Sequence, residues 1–537
     1  MRWWGWGRED HRPVLSGELE RMLHDALGLD GATRDHVELA DVLLPAMTLS
    51  PRARERLEAI VGADNVLSDP VSRVTHSGGK GYVDLVAIRA GAPHGAPDAV
   101  VYPDSHEAVL AVLAACSAER VAVVPFGGGT SVTGGLTALA GSQHAVISLD
   151  LRRLAGVHSV DLRSLTVSVA AGTRAPALEA VLVEHELTLG HYPDSFEFVS
   201  IGGCAATRSV GQASSGYGRI DQAIQGVRTA TPVGELSSAA LPASAAGPAL
   251  RELIVGSEGV LGVITGLLLR VRRAPSHRLY DGVAFDSFPA AVEALRVAVQ
   301  DGATPDIVRL SDETHTEVLL AAGEGGRRRL ARGRGGRRAR GGVLAIVGWE
   351  GQREAVGRRR LHTMTLLRRG GGTPVGGAAG RAWAASRFAW PYIRDELIAR
   401  GVLVEQFETA ATWTALESLR AAVSAALAAS LGALGTPPLL GCQISHLYDS
   451  GASLTFTVMA RAIPGQEQAQ WRAAKEAASA AMVRSGATIS HHHGVGRDNV
   501  GWAAVEIGTA GTAALRALKA QLDPVGVMNP GKLIAGS

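Results

Sequence analysis

A glycine-rich segment follows an apolar run and restricts the folds open to this chain. Residues 121–124 are Val-Ala-Val-Val, and residues 125–135, the cofactor loop, read Pro-Phe-Gly-Gly-Gly-Thr-Ser-Val-Thr-Gly-Gly. Five glycines in nine positions let the backbone adopt positive φ angles, so that successive N–H groups can converge on an anion. Thr130 and Ser131 add hydroxyl donors. The pattern predicts a strand followed by a loop that binds a pyrophosphate.

The glycine spacing distinguishes this loop from two common nucleotide-binding motifs. It matches neither Gly-x-Gly-x-x-Gly, which opens a nicotinamide-binding Rossmann unit, nor the P-loop pattern that ends in Gly-Lys-Ser/Thr. The sequence therefore disfavours a nicotinamide site and a nucleotidase. A glycine-rich hairpin without a ligand is the alternative when the loop is considered alone.

Composition excludes several classes of protein. The chain has 537 residues, 46% of them hydrophobic, and a net charge of +2, whereas disordered chains combine low hydrophobicity with high net charge. At roughly 150 residues per domain, this length allows two to four domains. We attribute the excess of Arg over Lys to genomic base composition, so Arg abundance alone implies no nucleic-acid partner.

The cysteines bear on the cellular compartment. Cys116, Cys204 and Cys442 lie far apart without Cys-x-x-Cys spacing, which argues against a disulfide framework and a thiolate zinc site. No run of about 18 apolar residues, the length of a membrane-spanning helix, occurs in the sequence. We therefore predict a soluble, cytoplasmic protein.

Short β-type runs alternate with helical patterns along most of the chain. We predict strands over residues 99–102, 121–125, 145–149, 166–170, 225–230, 262–271, 343–348 and 453–460. We predict helices over residues 107–118, 175–185 and 415–434, with an earlier amphipathic segment at residues 51–60. The alternation favours an α+β fold with at least two domains.

An Arg-rich segment interrupts the second half. Residues 323–342 contain eight Arg, one Glu and almost no apolar side chains. Such a segment buries too little apolar surface to offset the entropy of ordering, so we predict a disordered surface loop. A basic arm that binds RNA or anionic lipid is the alternative.

Three adjacent histidines are the most informative candidates for chemistry. His491, His492 and His493 stand in the histidine segment, residues 490–496, Ser-His-His-His-Gly-Val-Gly. In an extended backbone, His491 and His493 share a face and His492 points away. Imidazole, with a pKa of about 6.5, can take up and return a proton. No carboxylate or thiol before Asp498 completes a metal set, so we predict no metal; a polar cluster without a catalytic role is the alternative.

Arg394 lies in a mostly apolar segment, where a guanidinium group needs a counter-charge. We interpret it as an anion-binding group for a substrate phosphate or carboxylate, because its planar fork matches both. An internal pair with Asp395 or Glu396 is the alternative.

Four segments resemble, in family order, the vanillyl-alcohol-oxidase or PCMH-type family of FAD-binding flavoproteins. They are the cofactor loop, residues 193–199 (Pro-Asp-Ser-Phe-Glu-Phe-Val), residues 201–209 (Ile-Gly-Gly-Cys-Ala-Ala-Thr-Arg-Ser) and residues 256–265 (Gly-Ser-Glu-Gly-Val-Leu-Gly-Val-Ile-Thr). The resemblance implies a cofactor-binding set of Pro125, Phe126, Gly127, Gly128, Gly129, Thr130, Ser131, Pro193, Asp194, Ser195, Gly202, Gly203, Thr207, Ser209, Glu258, Gly259, Leu261, Gly262, Val263 and Ile264. Because the cofactor loop has no His, where covalent members commonly attach flavin, we expect noncovalent FAD.

The same resemblance implies a domain plan within the α+β class. An N-terminal region (1–95) precedes a two-part PCMH-type FAD-binding domain (96–274) and an α+β substrate, or cap, domain (275–485). The C-terminal segment (486–537) returns to the FAD-binding domain and completes the flavin site.

Further stretches resemble one branch, the alkyldihydroxyacetonephosphate synthase family. They are the Trp-rich residues 3–7, residues 391–395 (Pro-Tyr-Ile-Arg-Asp) with the later Phe-Glu-Thr at 407–409 and Trp413, and the histidine segment. The resemblance implies a non-redox reaction in which a flavin N5 adduct with acyl-dihydroxyacetonephosphate loses the fatty acid and a fatty alcohol replaces it. It places His491, His492, His493, Arg394, His191 and Thr455 at catalytic positions; for His191, stabilisation of a turn is the alternative.

Two positions depart from the synthase pattern. Gln443 stands where the family has Arg, and Thr455 where it has a catalytic Tyr. A neutral amide lacks the charge that attracts phosphate, and a threonine hydroxyl neither reaches as far nor titrates near pH 10. Either His446, Tyr448 or Arg497 compensates, or the substrate and reaction differ.

Three hypotheses for the function therefore stay open. The first is the synthase-like transferase, and the second is an FAD-linked dehydrogenase or oxidase of a D-2-hydroxy acid or alcohol. The lack of a His-x-Gly-Asp-Gly-Asn-Leu-His-like metal segment leans toward the first. The third is a flavin-binding or RNA-associated protein without catalysis. We expect a small-molecule or lipid-like substrate, no nucleic acid and at most transient contact with a membrane surface; a homodimer is left open.

Overall fold

The computed structural model describes residues 1–8, 14–29, 31–238, 241–322 and 342–536. Apart from Gly342, the predicted Arg-rich loop lies outside these described residues. None of the described helices combines the length and hydropathy that a transmembrane helix needs.

The first sheet carries the cofactor loop. Its strands are β1 (Val66–Leu67), β2 (Ala99–Val101), β3 (Val121–Phe126) and β4 (Ala145–Asp150), in the spatial order β1-β2-β4-β3. β2, β4 and β3 run parallel, in keeping with the continuous apolar run in β3, which is buried on both faces. The helix His106–Glu119 connects β2 to β3, and the Ser105 hydroxyl caps its start by accepting a hydrogen bond from the Ala108 N–H group.

The second sheet is antiparallel and packs into the same hydrophobic core. Its five strands, in the order β5-β6-β10-β8-β9, are β5 (Val157–Asp161), β6 (Thr166–Ala170), β8 (Ile224–Thr231), β9 (Gly234–Ser237) and β10 (Val263–Arg270). Two short strands, β7 (Leu187–Thr188) and β11 (Arg272–Arg273), pair with each other. The helices Ala175–Glu184 and Ile201–Thr207 lie between β6 and β8 in the chain.

The third sheet belongs to the second half and is antiparallel throughout. Its strands are β12 (His277–Phe285), β13 (Ile307–Ser311), β14 (Val343–Gly351), β15 (Thr373–Gly376), β16 (Val402–Thr412), β17 (Leu439–Ile444), β18 (Leu447–Tyr448) and β19 (Gly451–Arg461). The order is β15-β12-β14-β13-β17-β19-β16, with β18 paired to β19. It shares a second core with the helices Phe288–Gln300, Arg353–Arg369, Leu416–Ala433 and Glu467–Arg484.

The remaining helices connect or cover these sheets. They are Gly17–Leu27, Pro51–Val61, Pro70–Thr75, Tyr82–Arg89, Ser214–Tyr217, Ile220–Ala223, Arg251–Ile254, Glu313–Ala322, Gly377–Ser386, Trp390–Ala399 and Val500–Leu522. The N-terminal region divides between the two cores, since Leu19 and Leu23 pack into the second core and Ala53 and Leu57 into the first. The predicted domain boundaries stay predictions.

The C-terminal segment returns to the first sheet. The Val123 N–H group donates to the Val527 carbonyl, and the Asn529 N–H group donates to the Val123 carbonyl at 2.9 Å. The chain therefore runs parallel to β3 along its free edge, beside the strand that leads into the cofactor loop.

The prediction of an α+β fold is confirmed. Every predicted strand and helix is present, with ends that differ by three residues at most. The agreement is close because apolar runs and cap signals act locally, through burial and backbone hydrogen bonds.

Candidate active site

An open cleft, the main cleft, lies between the first two sheets and the third. Its volume is about 260 Å³, close to the lower end of the roughly 300–1,000 Å³ that most small-molecule pockets measure. The predicted cofactor residues line it with one exception. The Leu261 side chain is 1% exposed and packs in the first core, away from the lining of the cleft, and its contact with the cofactor stays a prediction.

Glycines let the predicted cofactor segments approach one another. A Cβ atom at Gly127 would lie 2.2 Å from Ser200 Oγ, and one at Gly128 would lie 2.4 Å from the Phe198 carbonyl oxygen. A Cβ atom at Gly259 would lie 2.8 Å from the Pro125 ring. All three distances are shorter than van der Waals contact, and at Gly128 and Gly259 the neighbour is backbone or a rigid ring, so these two positions require glycine.

The cofactor loop presents backbone donors to the main cleft. The N–H groups of Gly128, Gly129 and Thr130 find no acceptor among the described residues. Because backbone N–H groups are normally paired, three unpaired ones in successive residues that line a cleft indicate an anionic ligand. The residues present therefore fit the pyrophosphate of FAD.

Gly128→Ala is expected to lower FAD affinity at least about tenfold, because the added methyl group would push the loop from the Phe198 carbonyl and misdirect the N–H groups. Equilibrium titration of the apoprotein with FAD measures the change. The matched control is Gly357→Ala on the helix Arg353–Arg369, where an added Cβ atom meets nothing within 4 Å. Unchanged affinity in Gly128→Ala would contradict the role of the loop.

Glu258 joins the cofactor loop to the histidine segment. Its carboxylate oxygens accept hydrogen bonds from the N–H groups of Val495 at 2.6 Å and Gly496 at 2.8 Å. Burial raises the pKa of Glu258 to about 7, although these two donors oppose the shift. The Asn529 side-chain amide donates to the backbone carbonyls of Gly135 and Glu258, so the C-terminal segment holds the same junction.

The histidine segment wraps around the carboxylate of Glu408, which β16 carries. This buried carboxylate accepts hydrogen bonds from three successive N–H groups, those of His491 at 2.7 Å, His492 at 3.0 Å and His493 at 2.8 Å. Ser490 Oγ donates to it as well, at 2.8 Å. A chain that points three consecutive N–H groups at one carboxylate is curled, because N–H groups alternate in direction along an extended strand.

The prediction that His491 and His493 share one face is therefore wrong. His492 and His493 line the main cleft, whereas His491 is buried and its Nε2 atom lies 2.5 Å from the Tyr448 hydroxyl oxygen. The Nδ1 atoms of His491 and His492 lie 2.9 Å apart. Two imidazoles can thus reach a ligand, with the third behind them.

Burial keeps two of these imidazoles neutral at physiological pH. It lowers the pKa of His491 to about 3 and that of His493 to about 4, against the opposing charge of Glu408. Burial by itself would raise the pKa of Glu408, but the electrostatic attraction and hydrogen bond of the His492 imidazole are the main causes that hold that pKa well below its ordinary value. A neutral imidazole beside an ionised carboxylate can accept a proton.

Donor atoms of Glu408, His491 and His492 lie within 4.8 Å of one another, a spacing that a metal ion could use. Both Glu408 oxygens already accept backbone hydrogen bonds, and His491 Nε2 contacts Tyr448. The set is better explained as internal support of the segment, and the absence of a metal stays a prediction.

Arg394 and Thr455 line the main cleft, whereas His191 does not. The Arg394 guanidinium donates to the Lys80 carbonyl and to Asp395 Oδ1 at 3.3 Å, so the internal pair exists, yet its Nε–H finds no acceptor among the described residues. His191 is buried with Nε2 3.0 Å from Ser209 Oγ, and burial lowers its pKa to about 4. This contact fits the turn-stabilising alternative.

Several residues of the main cleft escaped the sequence analysis. Arg309 on β13 has a buried Nε–H without an acceptor among the described residues, and the Gln212 side-chain oxygen likewise lacks a donor there. Trp390 adds an aromatic wall, and so does Trp6, which belongs to the Trp-rich residues 3–7 already noted in the sequence. Unpaired buried polar atoms commonly mark a ligand site. Arg309 is the one charged residue in the short run Ile-Val-Arg-Leu-Ser of β13, a signal that could have located it.

Family comparisons match both halves of the chain. A model described as "FAD binding domain" matches residues 97–240, and one described as "FAD linked oxidases, C-terminal domain" matches residues 274–533. The first covers the cofactor loop, and the second covers the third sheet and the histidine segment.

Individual proteins support the same assignment. An alkyldihydroxyacetonephosphate synthase of Dictyostelium discoideum is 31% identical over 90% of this chain and 81% of its own. A solved structure of alkyldihydroxyacetonephosphate synthase superimposes with a TM-score of 0.84 at 26% identity, over 99% of this chain and 98% of that one. A mitochondrial D-lactate dehydrogenase [cytochrome] of Arabidopsis thaliana is 28% identical over 82% of this chain and 73% of its own.

Proposed function

The chain belongs to the family of FAD-dependent enzymes that includes alkyldihydroxyacetonephosphate synthase, and from this premise we propose that it exchanges the acyl group of acyl-dihydroxyacetonephosphate for a fatty alcohol. The observation that carries the proposal is the pair His492 and His493, which Glu408 holds at the wall of the cleft that the cofactor loop also lines. FAD is held noncovalently in this proposal, because the loop contains no His.

Bound FAD would supply an electrophilic ring, and side chains of the protein transfer the proton and bind the substrate phosphate. The neutral His493 imidazole takes a proton from the substrate carbon and returns it after the groups have exchanged, so no net oxidation occurs. Arg309 and Arg394 line the cleft, and each has an Nε–H group without an acceptor among the described residues, although Arg309 also pairs with Asp194 at 3.5 Å. Both guanidinium groups can therefore bind the substrate phosphate.

The two departures from the synthase pattern lie side by side. Gln443 on β17 pairs in register with Thr455 on β19, and both line the main cleft. Of the possible substitutes, His446 also lines the cleft, whereas Tyr448 contacts His491 and Arg497 pairs with Asp498 at 3.5 Å. Arg309 and Arg394 are therefore better placed to supply the missing positive charge.

Gln443 and Thr455 also support a second candidate function, that of an oxidoreductase. A wall without the synthase Arg and Tyr also suits a D-2-hydroxy acid or alcohol, whose carboxylate the two guanidinium groups could bind. FAD-linked oxidation of such a substrate is the alternative, and the D-lactate dehydrogenase relative adds weight to it.

Two assays on the FAD-loaded protein separate these functions. The first measures exchange of labelled fatty alcohol into acyl-dihydroxyacetonephosphate, and the second measures anaerobic bleaching of the flavin absorbance by a panel of hydroxy acids and alcohols. We expect exchange without net bleaching. Sustained dye reduction or hydrogen peroxide formation without exchange would replace the transferase proposal with the oxidoreductase.

The double variant Gln443→Arg/Thr455→Tyr is expected to raise kcat/KM for alkyl exchange, by about tenfold, because it restores a charge and a longer hydroxyl at adjacent positions. Each single variant is the control and should gain less, since the two side chains meet across the strands. A double variant with lower exchange and unchanged FAD content would show that the substrate has changed.

The proposal includes a small-molecule or lipid-like substrate and a cytoplasmic location. Transient contact with a membrane surface would give access to lipid substrates. Nucleic acid has no part in it, and sedimentation of the FAD-loaded protein would decide whether a homodimer forms.

A further inference from the structure

A second, smaller cavity lies beside the histidine segment. It measures about 20 Å³, room for about one or two water molecules. His493 lines both this cavity and the main cleft, so this residue forms part of a shared wall. Lys475, Asp498 and Asn499 line only the smaller cavity.

Two buried oxygen atoms of residues that line the smaller cavity have no donor among the described residues. Asp498 Oδ2 and Asn499 Oδ1 have no hydrogen-bond partner within the described residues. Asn499 is 1% exposed, and its side-chain nitrogen donates to the Gly494 carbonyl, which fixes the amide. The Asp498 side chain is 7% exposed, and its other oxygen faces Arg497 Nε at 3.5 Å. Each side chain is therefore anchored at one atom and leaves one acceptor unused.

Lys475 brings donors to the same space. Its Nζ atom lies 5.3 Å from the centre of the Phe407 ring, and an ammonium group has three N–H donors. The charged or titratable groups around it are Glu405 and Glu408 on β16, Asp498 with Arg497 on the following loop, and His493. Burial lowers the pKa of Lys475 and raises that of Asp498.

We propose that this cavity binds one or two ordered water molecules, which Asp498 Oδ2, Asn499 Oδ1 and Lys475 Nζ hold, and that they form a proton path behind His493. The path rests on the proposed function, in which His493 takes a proton from the substrate. His493 then passes its other N–H proton to the water, and the water passes a proton to Asp498. The steps reverse when the product carbon is protonated, so no proton is gained or lost overall.

The water site can be tested apart from the reaction. A high-resolution crystal structure of the FAD-loaded protein should show water within hydrogen-bond distance of Asn499 Oδ1 and Asp498 Oδ2. The Lys475→Met variant should lose or displace that water. A direct bond between Lys475 and Asp498 with no water in the wild-type cavity would overturn the proposal whatever the enzyme catalyses.

The proton path has a kinetic test on whichever substrate the enzyme turns over. Lys475→Met and Asp498→Asn should each lower kcat about tenfold or more, raise the solvent deuterium isotope effect, and leave KM and FAD content unchanged. Lys475→Arg should recover part of the loss. The control is Arg472→Met, which removes an exposed cation one turn away on the same helix.

The outcomes distinguish the two proposals. If alkyl exchange is absent but both variants slow a redox reaction with a larger isotope effect, the proposed function fails and the water path stands. If the Lys475→Met variant instead has a higher KM and less bound FAD, with an unchanged isotope effect, then Lys475 only supports the fold. That result would overturn the path.

Discussion

Replacing His492 by alanine is expected to lower kcat by about 100- to 10,000-fold while FAD stays bound. The imidazole lines the main cleft, with Nδ1 3.2 Å from the Glu408 carboxylate. The His492 N–H group donates to the same carboxylate through the backbone, and this bond survives the substitution. Alanine should therefore remove an imidazole that can hydrogen-bond the developing charge beside the proton-transferring His493, without unfolding the segment. Steady-state rates and the ratio of flavin to protein absorbance measure both effects.

Two companion variants make the result specific. His493→Ala should cause a loss of similar size, because its imidazole also lines the cleft. His158→Ala on β5 is the control, since that side chain is exposed and distant from the cleft. A fully active His492→Ala enzyme would remove the assigned role, and an inactive one without flavin would move the role to cofactor binding.

Glu408→Gln is expected to lower the free energy of unfolding by about 2–4 kcal/mol and to reduce kcat strongly. The glutamine amide has one oxygen that can accept hydrogen bonds and one NH₂ group that cannot. In one orientation the NH₂ group faces the His491 N–H, and in the other it faces the N–H groups of His492 and His493. At least one buried donor then lacks an acceptor, and the hydrogen bonds that hold the curled backbone of the histidine segment are weakened. Urea titration monitored by fluorescence measures the loss, and Glu476→Gln on the exposed face of its helix is the control.

The pH dependence of this difference follows from the lowered pKa of Glu408. A carboxylate whose pKa is lower in the folded protein stabilises the fold above its ordinary pKa of 4.5, and that stabilisation is lost as the pH falls through the folded value. The stability gap between wild type and Glu408→Gln should therefore be constant from neutral pH to about 5 and narrow at more acidic pH. A gap that widens below pH 4.5 would contradict an ionised Glu408.

Local patterns in the sequence were sufficient to predict the secondary structure and the cofactor loop. The run at 121–124 predicts β3 because its residues are apolar on both faces, and glycines at 127–129 predict a loop that needs close backbone contact. Both features depend on neighbours in the chain. The resemblance to flavoproteins followed from motifs of the same kind, and the comparisons confirm it.

Contacts between distant residues decided the rest. Glu408 precedes the histidine segment by more than eighty residues, yet its carboxylate sets the direction of all three imidazoles. Nothing in the alternation of side chains along an extended strand could reveal this, and so the prediction for His491 and His493 failed. Arg309 was not predicted as a site residue either, because only the pairing of β13 with β17 brings it to the cleft.

The amino-acid sequence by itself determined the elements, the FAD-binding loop and the family, because these depend on local burial, φ freedom and motif spacing. Tertiary structure alone decided which imidazoles face the cleft, which arginines join them and where the small polar cavity lies. These features depend on hydrogen bonds and buried charges between segments far apart in the chain, whose geometry no local pattern records.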